Sequence, residues 1–143
     1  MLVIGYGNDL RSDDGAGRAV ADAIADRALP GVEVRSMSQL TPELSLEIAG
    51  RTTVVFVDAD VDATELRTRR VVAGSAGDRV MTHHGDPATL LELTSTVGET
   101  PAEAFVVSIP ATNLEMGFEF SPPTAKAIDE AVDFIVELAG RIS

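Results

Sequence analysis

The chain has 143 residues and a formal net charge of −12, with 45% hydrophobic residues, no Trp and no Cys. That length suits one compact domain, residues 1–143, around a single core. The charge disfavours nucleic acid and anionic membrane as partners, since both reward Lys and Arg, and the missing Cys excludes disulfides, a Cys nucleophile and a thiolate metal site. No apolar stretch approaches the ~20 residues of a membrane span. The apolar start has no basic region before it, which is not the pattern of a signal peptide. The expectation is a cytoplasmic protein whose acidity serves solubility, although a basic partner surface would also suit it.

The chain begins with an apolar run, Met1 to Ile4, that predicts a first strand over residues 1–5. A helix follows from about Asp14 to Arg27, with Ala16, Ala19, Val20, Ala23 and Ile24 on one stripe, the spacing of a helix laid on a sheet. Pro30-Gly31 ends that unit, and Val32 to Met37 alternates as a second strand. Thr41-Pro42 predicts a short helix, with Thr41 as N-cap, Pro42 at the first helical position, and Leu40, Leu44 and Ile48 turned to the core. Gly50 closes it. Thr52 to Val57 is almost wholly apolar and β-branched, as in a central strand covered on both faces, and ends at Asp58-Ala59-Asp60.

Arg67 to Ala73 reads as a further strand, antiparallel and near an edge because Arg67, Arg69 and Arg70 crowd it. Residues 74–78 form a loop, and Val80 to Gly85 is irregular and carries His83 and His84. Asp86-Pro87 then caps a helix that buries Leu90 and Leu91. Glu103 to Ile109 is another buried strand, and Pro110 to Glu119 a loop or short hairpin. Ser121-Pro122-Pro123 starts the last helix, whose stripe is Ile128, Ala131, Val132, Ile135, Leu138, Ala139 and Ile142. Strands alternating with helices predict a three-layer α/β/α domain with a mainly parallel central sheet. No apolar helix face is left over, so a monomer is expected.

In such a sheet, ligands bind beyond the carboxyl ends of the strands. The Gly-rich turn after the first strand places two carboxylates there, Asp13 and Asp14. Gly5-x-Gly7 is not a dinucleotide fingerprint, because Leu10 stands where the third glycine belongs and the aspartates would repel a pyrophosphate. The glycines fit a tight turn that needs φ > 0. Acidic residues at a helix N-terminus also cap free N–H groups. Asp13 suits that role and leaves Asp14 to face a ligand.

Asp58 follows the central strand. The series Asp58-x-Asp60-x-Asp62 is not a calcium loop, since Ala63 and Arg69 replace the required Gly and Glu. Asp60 and Asp62 read as solvated loop residues. His83 and His84 are the only histidines, and being adjacent they point different ways, so one of them at most joins a given site. Two carboxylates and an imidazole form an O,O,N donor set that suits a borderline divalent ion such as zinc or nickel. No G-x-S-x-G elbow supports a Ser-His-Asp hydrolase, and no H-E-x-x-H helix supports the common zinc peptidases.

With these residues in view, the sequence resembles the NiFe-hydrogenase maturation proteases. The resemblance rests on Gly5-Tyr6-Gly7-Asn8-Asp9-Leu10-Arg11-Ser12-Asp13-Asp14-Gly15-Ala16-Gly17, on Gln39 to Leu44, on Val57-Asp58-Ala59, on Thr82-His83-His84-Gly85-Asp86-Pro87 and on Gly117 to Pro122, in that order along most of the chain. Phe120 stands where a Leu is more usual. The fold it implies is the same three-layer arrangement, phosphorylase/hydrolase-like. The activity it implies is an aspartic-type endopeptidase that trims the C-terminal tail of a hydrogenase large-subunit precursor once nickel has been inserted. The resemblance maps the family's metal-binding and catalytic residues to Asp14, Asp58 and His83, with His83 preferred over His84 by its place four residues before Pro87. It implies nickel delivered in the substrate, with zinc or cadmium as surrogates. A non-enzymatic nickel carrier in hydrogenase assembly is the competing reading of the same donor set.

Overall fold

The computed structural model describes residues 1–73 and 86–142. Five strands form one sheet: β1 (Leu2–Tyr6), β2 (Glu33–Met37), β3 (Thr53–Asp60), β4 (Arg67–Arg70) and β5 (Glu103–Pro110). Their order across the sheet is β2-β1-β3-β5-β4. The pairs β1–β2, β1–β3 and β3–β5 are parallel, and β4 runs antiparallel to β5 at one edge. The antiparallel edge strand is as the arginine pattern predicts, although it stops at Arg70.

The period of two along each strand sends alternate residues to opposite faces. Leu2, Ile4, Val54, Phe56, Ala104 and Val106 face α2 (Leu44–Ile48) and α3 (Pro87–Val97), packing with Leu40, Leu44, Ile48, Leu90 and Leu91. Val3, Val55, Val57, Phe105, Val107 and Ile109 face α1 (Ala16–Arg27) and α4 (Pro122–Ile142), packing with Val20, Ile24, Ala131, Ile135 and Leu138. The domain is therefore α/β/α in three layers. Val54 to Val57 have no exposed surface, as the unbroken β-branched run requires. Each such side chain contributes about 1.5–3 kcal/mol relative to an exposed one.

Several local expectations change. The helix foreseen from Asp14 begins at Ala16, after a 3-10 turn over Ser12–Gly15. Neither Asp13 nor Asp14 caps it, because no side chain accepts from its first N–H groups. Thr41 does not cap α2. Its hydroxyl bonds the Glu43 carboxylate instead, and α2 starts only at Leu44. Ile142, placed on the α4 stripe, is 45% exposed at the end of the helix. Asp86 does cap α3, accepting from the Ala88 N–H at 2.8 Å. The predicted loop over 74–78, the irregular stretch to Gly85, and His83 and His84 lie outside the described residues.

The chain leaves β1 for β2 on one side and returns to β3 on the other. That reversal makes a crevice between the carboxyl ends of β1 and β3, the place where open α/β sheets bind ligands. Close helix packing shapes it. A Cβ at Gly17 would collide with the Val57 and Tyr6 carbonyl oxygens, so only glycine lets α1 start this near the crevice. Gly7 has φ 142, as a tight turn requires, whereas Gly5 has no positive φ and is needed because α1 backbone at Gly17 leaves no room for a side chain.

Candidate active site

Three elements meet at the crevice. The register pairs Gly5 with Val57, so Tyr6, the last residue of β1, stands level with Asp58 on β3. The Tyr6 hydroxyl donates to the Asp58 carboxylate. Asp14, in the 3-10 turn above, accepts from the Asn8 N–H at 3.0 Å through Oδ2 and is near enough that its charge acts on Asp58.

Asp58 is largely buried. Burial pushes its carboxyl up from 3.8 to about 7, the Asp14 and Asp60 charges add to the rise, and the Ala59 N–H and the Tyr6 hydroxyl oppose it. Tyr6 is itself raised well above the ordinary tyrosine value, by burial first and then by the Asp58 and Asp86 charges, with Arg69 acting the other way. Asp86 and Arg69 thus belong to the electrostatic surroundings of the same crevice. A carboxyl with a midpoint near 7 can hold or release a proton at physiological pH, which is what a general acid–base group or an ion-responsive ligand requires.

The Tyr6 hydroxyl favours the charged form of Asp58 by hydrogen bonding to it. Tyr6→Phe is therefore expected to move the Asp58 midpoint upward from about 7, followed by carboxyl-carbon NMR against pH. A midpoint that stays or falls removes Tyr6 from this role.

Asp13 is fully buried and does other work. Its Oδ2 accepts from the Thr112 and Asn113 N–H groups at 2.9 Å each and from the Ser121 hydroxyl at 2.7 Å, while Oδ1 accepts from the Ser121 N–H at 2.8 Å. Burial alone would raise its carboxyl, but these bonds outweigh that and hold it far below the usual range. The expectation that Asp13 caps its own helix fails: its role is structural, but its partners lie about a hundred residues away.

The two loops are joined further by backbone. Ser12 N–H donates to Gly117 O at 2.9 Å, Gly117 N–H to Leu10 O at 2.9 Å and Asp13 N–H to Asn113 O at 2.9 Å. Ser12 sits in the left-handed region at φ 50. Its N–H bond and the bond from its hydroxyl to Glu115 O at 2.8 Å hold it there against a cost of roughly 1–3 kcal/mol. Those bonds fix the turn that presents Asp14. Leu10, Met116 and Phe118, on the same two loops, expose 49%, 78% and 76% of their surface.

Of the three candidate residues, Asp14 and Asp58 come together, and His83 lies outside the described residues. Among the described residues no three His, Asp or Glu side chains stand ready to hold a metal ion. Sequence reasoning missed Tyr6. Its signal was present in the strand period, which puts it on the face of Leu2 and Ile4 at the end of β1.

The geometry has close parallels among solved structures. The chain superposes on hydrogenase maturating endopeptidase HybD from E. coli with TM-score 0.80 at 22% identity, covering 99% of this chain and 93% of that one. It matches the hydrogenase 2 maturation peptidase of a Thaumarchaeota archaeon with TM-score 0.72 at 24% identity, over 97% of both chains. A NiFe hydrogenase maturation protease HybD from Thermococcus kodakarensis gives TM-score 0.71 at 20% identity, over 96% of this chain and 97% of that one. The chain has the fold of these endopeptidases. No protein-family model matches the sequence, and no curated protein matches it. No helix among the described residues is long and apolar enough to cross a membrane.

Proposed function

We propose that the protein is an endopeptidase that removes the C-terminal tail of a NiFe-hydrogenase large-subunit precursor after nickel insertion, and that it reads the inserted nickel. The observation that carries this reading is the pair Asp14 and Asp58 at the β1–β3 crevice, in a chain with the fold of hydrogenase maturation endopeptidases. Two carboxylates at one crevice suit a divalent cation, which would also relieve their mutual repulsion. The exposed Leu10, Met116 and Phe118 on the adjoining loops suit a protein surface as substrate rather than a small molecule.

In this mechanism Asp14, Asp58 and His83 contact the nickel carried by the precursor, and His83 stands three positions before the Asp86 cap. The metal supplies polarisation of the scissile carbonyl or activation of a water. Asn8 holds the Asp14 carboxylate through its N–H, and the Tyr6 hydroxyl holds that of Asp58. Raised to about 7, Asp58 is only partly ionised near neutral pH; a cation at the crevice would favour its charged form, which could accept and return a proton at the reacting centre. Zinc or cadmium would serve as surrogates for the same oxygen and nitrogen donors. The setting we infer is the cytoplasm, with the protein acting as a monomer.

The test is incubation of purified protein with nickel-loaded and nickel-free precursor, read by intact mass. Loss of a C-terminal tail from the loaded form alone is expected, and Asp14→Ala is expected to abolish it while leaving the thermal transition in place. Equal cleavage of both forms would discard the nickel requirement. Nickel binding by the protein without any cleavage would favour the carrier.

A further inference from the structure

The three arginines of β4 are not equivalent. Arg70 donates to Glu103 at 2.9 Å and lies over the Phe105 ring at 5.5 Å. The guanidinium groups of Arg67 and Arg69 form no hydrogen bond or ion pair among the described residues. Charged side chains on an edge strand discourage pairing with other chains, and that general role accounts for the presence of charge. It does not account for where these two point.

The register answers that. Arg67 stands opposite Ser108 on β5, and Ser108 is level with Asp58 on β3. Tyr6, Asp58, Ser108 and Arg67 therefore form one row across β1, β3, β5 and β4, on the face of α2 and α3. Strands are about 4.8 Å apart, so the Arg67 Cα lies about 10 Å from that of Asp58. Arg69 shares this face one step down the strand, and its charge acts on Tyr6. Between them lies a polar pocket of about 260 Å³ lined by Asp60, Asp62, Arg67, Arg69 and Ser108. Asp60 and Asp62 form no ion pair with either guanidinium, although they line the same pocket. The Asp60 carboxylate is turned to its own loop, accepting from the Asp62 N–H at 2.9 Å.

We infer that this pocket is a substrate subsite in which Arg67, with Arg69, takes a carboxylate of the precursor's tail. The inference rests on the proposed protease reading and adds a specificity determinant to it. Guanidinium is the group best matched to a carboxylate, by paired charge-assisted hydrogen bonds. The separation of about 10 Å from Asp58 is spanned by roughly three extended residues. The carboxylate is thus an acidic side chain close to the scissile bond, or the terminal carboxylate of a short tail.

The test measures kcat/KM for the native protein and Arg67→Ala on three nickel-loaded precursors: the unaltered one, one with the tail's Asp and Glu changed to Asn and Gln, and one with its C-terminus extended by a Gly-Ser segment. On the unaltered precursor Arg67→Ala is expected to lose about 10–100-fold, the effect of a charge-assisted bond, with Arg67→Lys intermediate. The loss should disappear on the neutralised tail if the group is a side chain, or on the extended tail if it is the terminus. Either result supports the subsite. An Arg67→Ala rate equal to native on the unaltered precursor, or the same loss on all three, overturns it.

Should the native protein cut none of them, the protease reading fails separately. The subsite is then judged by fluorescence anisotropy of a labelled synthetic tail peptide. Weaker binding to Arg67→Ala keeps the subsite, and equal binding or none rejects it.

Discussion

Asp58→Asn stabilises the protein, in the absence of any bound cation, by roughly 2–4 kcal/mol at pH 8. The physical basis is the folded-state carboxyl at about 7 against 3.8 for an ordinary aspartate. An acid with a raised folded value binds its proton more tightly in the native chain than in the unfolded one. Its contribution is nil below pH 3.8, turns increasingly unfavourable as the pH rises toward 7, and stays at its full cost above that. Asparagine has nearly the same shape, carries no charge to be buried beside Asp14, and keeps one acceptor oxygen for the donors that Asp58 now faces, the Ala59 N–H and the Tyr6 hydroxyl. Urea unfolding at pH 4 and at pH 8 checks it, with the variant's advantage confined to the higher pH. The same substitution is expected to abolish tail removal, since it removes a proposed ligand and proton carrier. A variant no more stable than native at pH 8 would mean that Asp58 is ionised there at little cost.

This expected trade of stability for activity is what separates a working carboxylate from a structural one. Asp58 has a backbone N–H and a tyrosine hydroxyl as donors and two neighbouring carboxylates as opponents. Asp13, one residue from Asp14 in the chain, has three backbone N–H groups and the hydroxyls of Ser121 and Thr112 as donors. The sequence could not distinguish these environments, because Asp13's partners come from a loop about a hundred residues away.

What was legible followed from periodicity. The β-branched run at Val54 to Val57 marks a strand covered on both faces, and the stripe from Ala131 to Ala139 marks the face of α4 laid on the sheet. The Arg-rich stretch at Arg67 marks an edge, because only an edge leaves room for such side chains. Capping was legible at Asp86 and misleading at Asp13, Asp14 and Thr41. Short polar side chains bond whichever group comes nearest, and at those positions Thr112, Asn8 and Glu43 came nearer than the helix. Tyr6 was hidden for a related reason. Its role depends on β1 lying beside β3 in a register that places it level with Asp58, and strand order is a tertiary property.

Asp13→Ala is expected to be the most destabilising single change near the site, at about 3–5 kcal/mol. It strips the acceptor from the N–H groups of Thr112, Asn113 and Ser121, and each buried donor left unpaired costs about 1–3 kcal/mol. Asp13→Asn should cost less than Asp13→Ala, since its carbonyl oxygen can take the place of Oδ2 while its NH2 meets only the Ser121 N–H that Oδ1 now accepts. Domains of this size have only about 5–15 kcal/mol in hand, so much of the fold's margin rests on this carboxylate.

The pH dependence has the opposite sign to that of Asp58. The folded value of Asp13 is depressed, so its contribution is complete above 3.8 and is lost as the pH falls below it. Native protein should therefore lose stability steeply in acid, and Asp13→Ala should show a shallower slope there from a lower starting point. Urea midpoints between pH 2 and pH 5 measure both. Because the same bonds clamp the 111–121 loop onto the turn that carries Asp14, amide exchange across residues 8–15 should quicken in the variant even at pH 7. Unchanged exchange there, with stability within about 1 kcal/mol of native, would show that backbone bonds between the loops suffice and that Asp13 is dispensable to the presentation of Asp14.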